Sequence, residues 1–205
     1  KYIAAALFVM LGIASANFYL VNSDAKTSST KLDIWYKPNV PLGVAKGIFP
    51  GRVAWVHNPK ITSWDGKTGF WWEDQYNIQS ETDKLFNNSL FSLTNKKSEK
   101  DAWVSLFTFY NKTKRNSKLG YQQGEKIAIK VNMNNTNAKG HESTNRLNAN
   151  PQLVLTLLRS LINEAEVAQE NITVADPSRF ITDNIFDKCH AAFPKVRFVD
   201  HNGGD

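Results

Sequence analysis

At 205 residues, the chain holds enough sequence for one ordinary domain, or for a domain with an appendage. Hydrophobic residues at 41% and charged residues at 21% exclude outright disorder. The single Cys excludes an internal disulfide framework, a cysteine-rich zinc module and an iron–sulfur cluster held by this stretch alone.

The chain opens on Lys1 and closes on the loop-like Gly203-Gly204-Asp205, so it reads as a fragment. Residues 3–21 are almost unbroken apolar sequence, interrupted only by Gly12, Ser15 and Asn17. Ala14-Ser15-Ala16 puts small residues where a signal peptidase requires them, and the run is also near the minimum length of a spanning helix. Residues 1–22 are therefore expected to be a signal peptide or a membrane anchor. Either sends the remainder out of the cytoplasm, to the periplasm or the cell surface, and confines membrane contact to this segment. Residues 23–47 read as a linker and an extended lead-in, with Pro38, Pro41, Gly43 and Gly47 opposing regular structure. Residues 48–205 are expected to form one α/β domain, truncated at its C-terminal side.

After the Pro50-Gly51 turn, residues 52–56 read as a short strand that His57-Asn58-Pro59 stops. Residues 61–72 interleave Trp64, Trp71 and Trp72 with turn residues, which suggests an ordered loop folded over something. A helix is expected over residues 74–93, interrupted near Asn87-Asn88. A second is expected over residues 98–110, capped by Ser98, with Trp103, Leu106, Phe107 and Tyr110 on one face. Residues 111–123 read as a basic loop. Residues 94–126 alone carry eight basic side chains against three acidic ones, so the net charge of +6 marks a solvated surface. No recognition-helix or RNA-binding signature accompanies it, and nucleic acid is not expected as a partner.

Residues 126–131 are a strand and residues 132–150 a polar loop. Asn150-Pro151 is an N-cap followed by proline at the first helical position. The helix is expected to reach about Val167, with Val154, Leu158, Leu161 and Ala165 buried. Residues 172–175 form the next strand, Thr182 caps a helix to about Ala192, and residues 196–199 form another strand. Strand, helix, strand, helix, strand with short connections predicts a parallel or mostly parallel sheet with flanking helices, Rossmann-like and three-layered.

In such a sheet, ligands bind beyond the carboxyl ends of the strands. The residues arriving there are Lys130, Asn132 and Asn134 from the first strand, and Asp176, Ser178 and Arg179 from the second. Asp200 and His201 follow the third. If residues 52–56 join in parallel, His57 and Asn58 reach the same edge. Lys130 and Arg179 suit anionic oxygens, and Lys130 and Asp176 are the candidate catalytic groups, with Asp176 as a base or metal ligand. Asp200, His201 and His57 are the further metal candidates. The structural alternatives are that Asp176 opens a turn and that Lys130 pairs with a carboxylate. Cys189 and His190 are adjacent in a helix and face different ways, which argues against a catalytic pair. No dinucleotide fingerprint, phosphate-binding loop, nucleophile elbow or zinc-protease helix occurs.

Several segments, in this order, resemble the domain of unknown function 362 family in the form seen in secreted proteins of Bacteroides-type bacteria. They are residues 47–53, the tryptophan-rich residues 62–72, residues 124–134, Pro151-Gln152-Leu153-Val154, and Ile172-Thr173-Val174 leading to Asp176-Pro177-Ser178-Arg179. The resemblance covers residues 48–205 and implies an α/β domain of unestablished activity. Some members carry ferredoxin-like iron–sulfur modules, but this chain lacks the cysteines for one. The resulting expectation is a small polar or anionic ligand at the strand-end edge, alone or with a metal, in an enzyme or in a non-catalytic binding or surface-interaction module.

Overall fold

The computed structural model describes residues 42–136 and 141–204. The expected signal or anchor segment lies outside the described residues, as does most of the lead-in. Among the described residues, no helix is long and apolar enough to cross a membrane.

Residues 52–58 form no regular secondary structure and pair with no strand. The strand expected over residues 52–56 is therefore not part of the sheet. Its alternation shows why. Ala54, Val56 and Asn58 face inward, while Val53 and Trp55 are 88% and 81% exposed. Asn58 donates to the Glu81 carboxylate at 2.8 Å, so the segment is tied to a helix instead.

That helix, α1, spans Gln79–Thr94 without the interruption expected at Asn87-Asn88. The modest helix cost of two Asn is outweighed by packing of α1 against α2 and α3. It ends at Asn95, which takes the left-handed conformation at φ 57°. Residues 74–78 stay outside the helix: 74–76 are turn, Asn77 bridges antiparallel to Thr62, and Ile78 is the extended residue that precedes α1. α2 spans Glu99–Arg115, with the Ser98 hydroxyl accepting the Asp101 N–H at 3.2 Å. It runs five residues beyond the expected end, so Lys112, Lys114 and Arg115 belong to its last turn. Cations there complement the helix dipole.

β1 is Ile127–Lys130, β2 Ile172–Ala175, β3 Arg197–Asp200 and β4 Gly203–Gly204. The sheet order is β1-β2-β3-β4, parallel across the first three strands and antiparallel at the last. α3 (Pro151–Arg159) connects β1 to β2, and α4 (Asp183–Ala192) connects β2 to β3. Asn150 caps α3 as the sequence predicts, its side chain accepting the Leu153 N–H at 2.9 Å. The helix then continues as a π-helical turn, Ser160–Glu164, and stops at Glu166 with φ 57°. Thr182 occupies the N-cap of α4, but its side chain makes no capping bond. The His141 carbonyl and the Ser143 hydroxyl accept the first N–H groups instead.

α3 and α4 pack on each other, and their buried side chains join those of one sheet face in a single core. Ile127, Ile129, Ile172, Val174 and Phe198 meet Val154, Leu158, Leu161, Ile185 and Cys189 there, all under 9% exposed. The positions between them, Ala128, Lys130, Thr173, Ala175, Arg197 and Val199, are exposed or half-buried. Among the described residues the helices thus cover one face only.

Candidate functional site

The carboxyl ends of β1, β2 and β3 meet at one edge, as the parallel order requires. Asp176 organises the part between β1 and β2. It is 1% exposed, and both carboxylate oxygens are occupied. Oδ2 accepts the Met133 N–H at 2.9 Å and lies 3.0 Å from the Lys130 ammonium. Oδ1 accepts the Ser178 N–H at 3.1 Å and the Ser178 hydroxyl at 2.9 Å. Burial is the largest influence on Asp176 and raises its pKa. The donors from Met133, Lys130 and Ser178 together outweigh it, and the carboxyl sits below its ordinary value.

This arrangement brings Lys130 and Asp176 together, as expected, and puts Ser178 and Arg179 on the same edge. It alters the role assigned to Asp176. A carboxylate holding three hydrogen bonds and an ammonium has no open lone-pair direction for a metal or an incoming proton. It is a clasp between the loops after β1 and β2. Lys130 keeps 44% of its side chain exposed and also donates to the Val131 carbonyl. Arg179 is exposed, and its guanidinium has no ion-pair or hydrogen-bond partner among the described residues. Asn132 and Asn134 are exposed on the same loop, with side-chain amides likewise unpartnered among the described residues.

Between β2 and β3 a second group forms. Asp200 Oδ2 accepts the Ile181 N–H at 3.1 Å and lies 3.3 Å from His141 Nδ1, while Oδ1 accepts the Asn202 N–H at 2.8 Å. His141 Nδ1 also lies 2.9 Å from the Ile181 carbonyl, which can only accept, so this nitrogen carries the proton in the neutral ring. The ring meets Phe180 edge-to-face at 5.0 Å, and His201 also meets Phe180 edge-to-face, at 5.5 Å. The His201 N–H donates to the Arg179 carbonyl at 3.2 Å, which joins the two groups through the backbone. His141 escaped the sequence reading because it lies eleven positions beyond the end of β1. The signal was the length of the polar loop after that strand.

His57 does not join this edge through a paired strand. It stacks on Trp55 at 5.9 Å, on the segment tied to α1. No group of three or more His, Cys, Asp and Glu side chains suited to a metal occurs among the described residues. Asp176, Asp200, His201 and His57 therefore do not assemble as a metal set there. Cys189 is buried with its thiol pushed up to about 12 by desolvation, and His190 turns away to stack on Phe186 at 4.8 Å.

The tryptophan loop holds this edge in place. Trp71 N–H donates to Asn145 Oδ1 at 3.1 Å, Trp71 Nε1 to the Arg146 carbonyl at 3.3 Å, and Trp72 Nε1 to the Thr144 carbonyl at 3.0 Å. Asn145 returns a bond to the Gly69 carbonyl at 2.9 Å. What the loop folds over is thus the segment that carries His141 and caps α4. A cavity of about 810 Å³ opens at the opposite end of the sheet, against Trp103, Phe107, Tyr121 and Val167. Its Lys100 is already paired with Glu166 at 2.7 Å, and it gathers none of the strand-end residues.

A scan against protein-family models finds no match, and neither a search of curated proteins nor one of solved structures finds any.

Proposed function

We propose that the carboxyl edge of the sheet binds a small anionic ligand, with Arg179 and Lys130 as the cationic groups. Ser178, Asn132 and Asn134 supply polar contacts. The carrying observation is Arg179: an exposed guanidinium with no ion-pair partner among the described residues, on a loop fixed by a fully satisfied Asp176. A guanidinium held on a rigid turn presents its fork to a carboxylate or phosphate at little entropic cost. Because Asp176 is saturated, the geometry favours a binding module over catalysis by that carboxylate.

Thermal denaturation in phosphate, sulfate, citrate and malonate tests the reading. At least one of these anions raises the melting temperature of the full chain, and Arg179→Ala abolishes that rise while melting normally in its absence. An anion-induced shift that survives Arg179→Ala, or none for any of the four, rejects the site.

A second reading, an enzyme, draws support from His141. Asp200 and the Ile181 carbonyl both face Nδ1, which leaves Nε2 as the basic nitrogen, a common arrangement for proton transfer. Export to the periplasm or cell surface, the likeness to the domain of unknown function 362 family and a three-layer architecture complete the proposal. The apolar residues 3–21 support the first, the ordered motifs the second and the βαβαβ chain order the third.

A further inference from the structure

Residues 52–58 run along α1 and are tied to it at both ends. The Arg52 guanidinium donates to the Ser92 carbonyl at 3.2 Å, and Asn58 holds the Glu81 carboxylate. Val53 and Trp55 nevertheless turn outward, and with Leu42 and Val44 they are more than four-fifths exposed. Cations accompany these apolar groups. Lys46 and Lys60 are exposed without an ion-pair partner among the described residues, and Arg52 lies over the Phe49 ring at 3.8 Å. No Asp or Glu occurs between Asp33 and Asp65, a stretch that holds Lys37, Lys46, Arg52 and Lys60. Glu81, which α1 brings against Asn58, is already paired with Lys84 at 2.6 Å. The backbone of residues 53–57 makes no hydrogen bond among the described residues.

We propose that residues 42–60 are a membrane-contact surface that rests in the headgroup region of an anionic bilayer. Three demands meet in this segment. Exposed Trp and aliphatic side chains favour leaving water, cations favour anionic partners, and unpaired N–H and C=O groups require polar ones. The headgroup region meets all three: aromatic rings settle there, lipid phosphates attract Lys and Arg, and water and headgroups serve the backbone. A dry, apolar protein cover would meet the first demand and leave cations and peptide groups without partners. The chain outside the described residues also ends beside this surface. Residues 22–41 join it to the apolar residues 3–21 and reach at most about 70 Å when extended, so a retained apolar run would keep the surface within range of the bilayer. The inference extends membrane contact beyond residues 1–22, where the apolar run alone placed it. It does not depend on the ligand at the strand ends, so its test leaves Lys130 and Arg179 untouched.

The test places an environment-sensitive fluorophore on Val53→Cys in the full chain, with Lys114→Cys as the control on α2. Cys189 is buried and stays unlabelled in the native protein. Each protein is reconstituted into vesicles of phosphatidylcholine, or of phosphatidylcholine and phosphatidylglycerol in equal parts. With phosphatidylglycerol, the label at 53 is shielded from acrylamide and quenched by a lipid spin-labelled near its headgroup. In phosphatidylcholine alone it is open to acrylamide, and the label at 114 is open in both. Lys46→Gln with Lys60→Gln lowers the ratio of lipid-contacting to water-exposed label about fivefold for each cation removed. Lipid contact at 53 that is absent, indifferent to phosphatidylglycerol, matched at 114, or unchanged by the two Gln substitutions overturns the inference. So does a label at 53 shielded from acrylamide in both vesicles without lipid quenching, the result expected if a protein segment, from this chain or another, covers the surface.

Discussion

Asp176 shows how one side chain can have the residue type of a catalytic group and the surroundings of a structural one. Its four donors come from three places in the sequence, and the one carboxylate meets all of them. Asp176→Asn keeps the shape but loses the charge and one acceptor, and is expected to cost about 1–3 kcal/mol at neutral pH by chemical denaturation. The pH dependence follows from the lowered pKa. The stabilisation is fully present above the ordinary value of 3.8, and it is lost as pH falls through the depressed native value. The gap between wild type and Asp176→Asn should therefore narrow on acidification from about pH 4 downward. A gap that stays constant to pH 2 would contradict the clasp. At Cys189, a thiol held at about 12 and buried among core residues should resist alkylation at pH 8 in the native protein and react fully once unfolded. Rapid native labelling would show that α4 opens locally.

At the scale of elements, the two βαβ crossovers carry the stability. Leu158 is fully buried on α3, at the centre of the cluster formed with the strands. Leu158→Ala is expected to cost about 2–5 kcal/mol in denaturant midpoints, as buried truncations do. Ser98→Ala, removing the α2 cap, should cost about 1 kcal/mol. Lys114→Ala, on an exposed turn of the same helix, should stay within about 0.5 kcal/mol of wild type. If Ser98→Ala and Lys114→Ala prove equal, the cap contributes nothing beyond the solvated last turn. Both caps formed by a residue's own neighbours, Ser98 and Asn150, were legible in the sequence. The cap of α4 was not, because its acceptors come from His141 and Ser143, more than forty positions earlier.

Across the whole molecule, the tryptophan loop, the segment after β1 and the start of α4 form one chain of contacts above the sheet. Asn145 is the shared point, accepting from Trp71 and donating to Gly69. Asn145→Ala should leave the melting temperature nearly unchanged, because the core is untouched. It should also speed hydrogen exchange at Trp71 and at Asp183 and Asn184, the amides that the His141 segment caps. Faster exchange at Trp71 alone would mean that the loop and the edge are not coupled.

The sequence by itself determined the order of strands and helices between residues 126 and 200, the caps of α2 and α3, and which polar residues reach the strand ends. These are consequences of local periodicity and of chain direction in a parallel sheet, both written in neighbouring residues. Gly203-Gly204 reads as loop-like, and only the pairing with β3 made it a strand. Tertiary structure alone decided whether residues 52–58 would pair, since an alternating pattern records an exposed face without recording a partner. It alone decided that Asp176 would be saturated and not open, because the Met133 N–H that meets it lies 43 residues earlier. It also brought His141 beside Asp200. Such meetings depend on how loops of particular length return to the same edge, and no local period encodes that return.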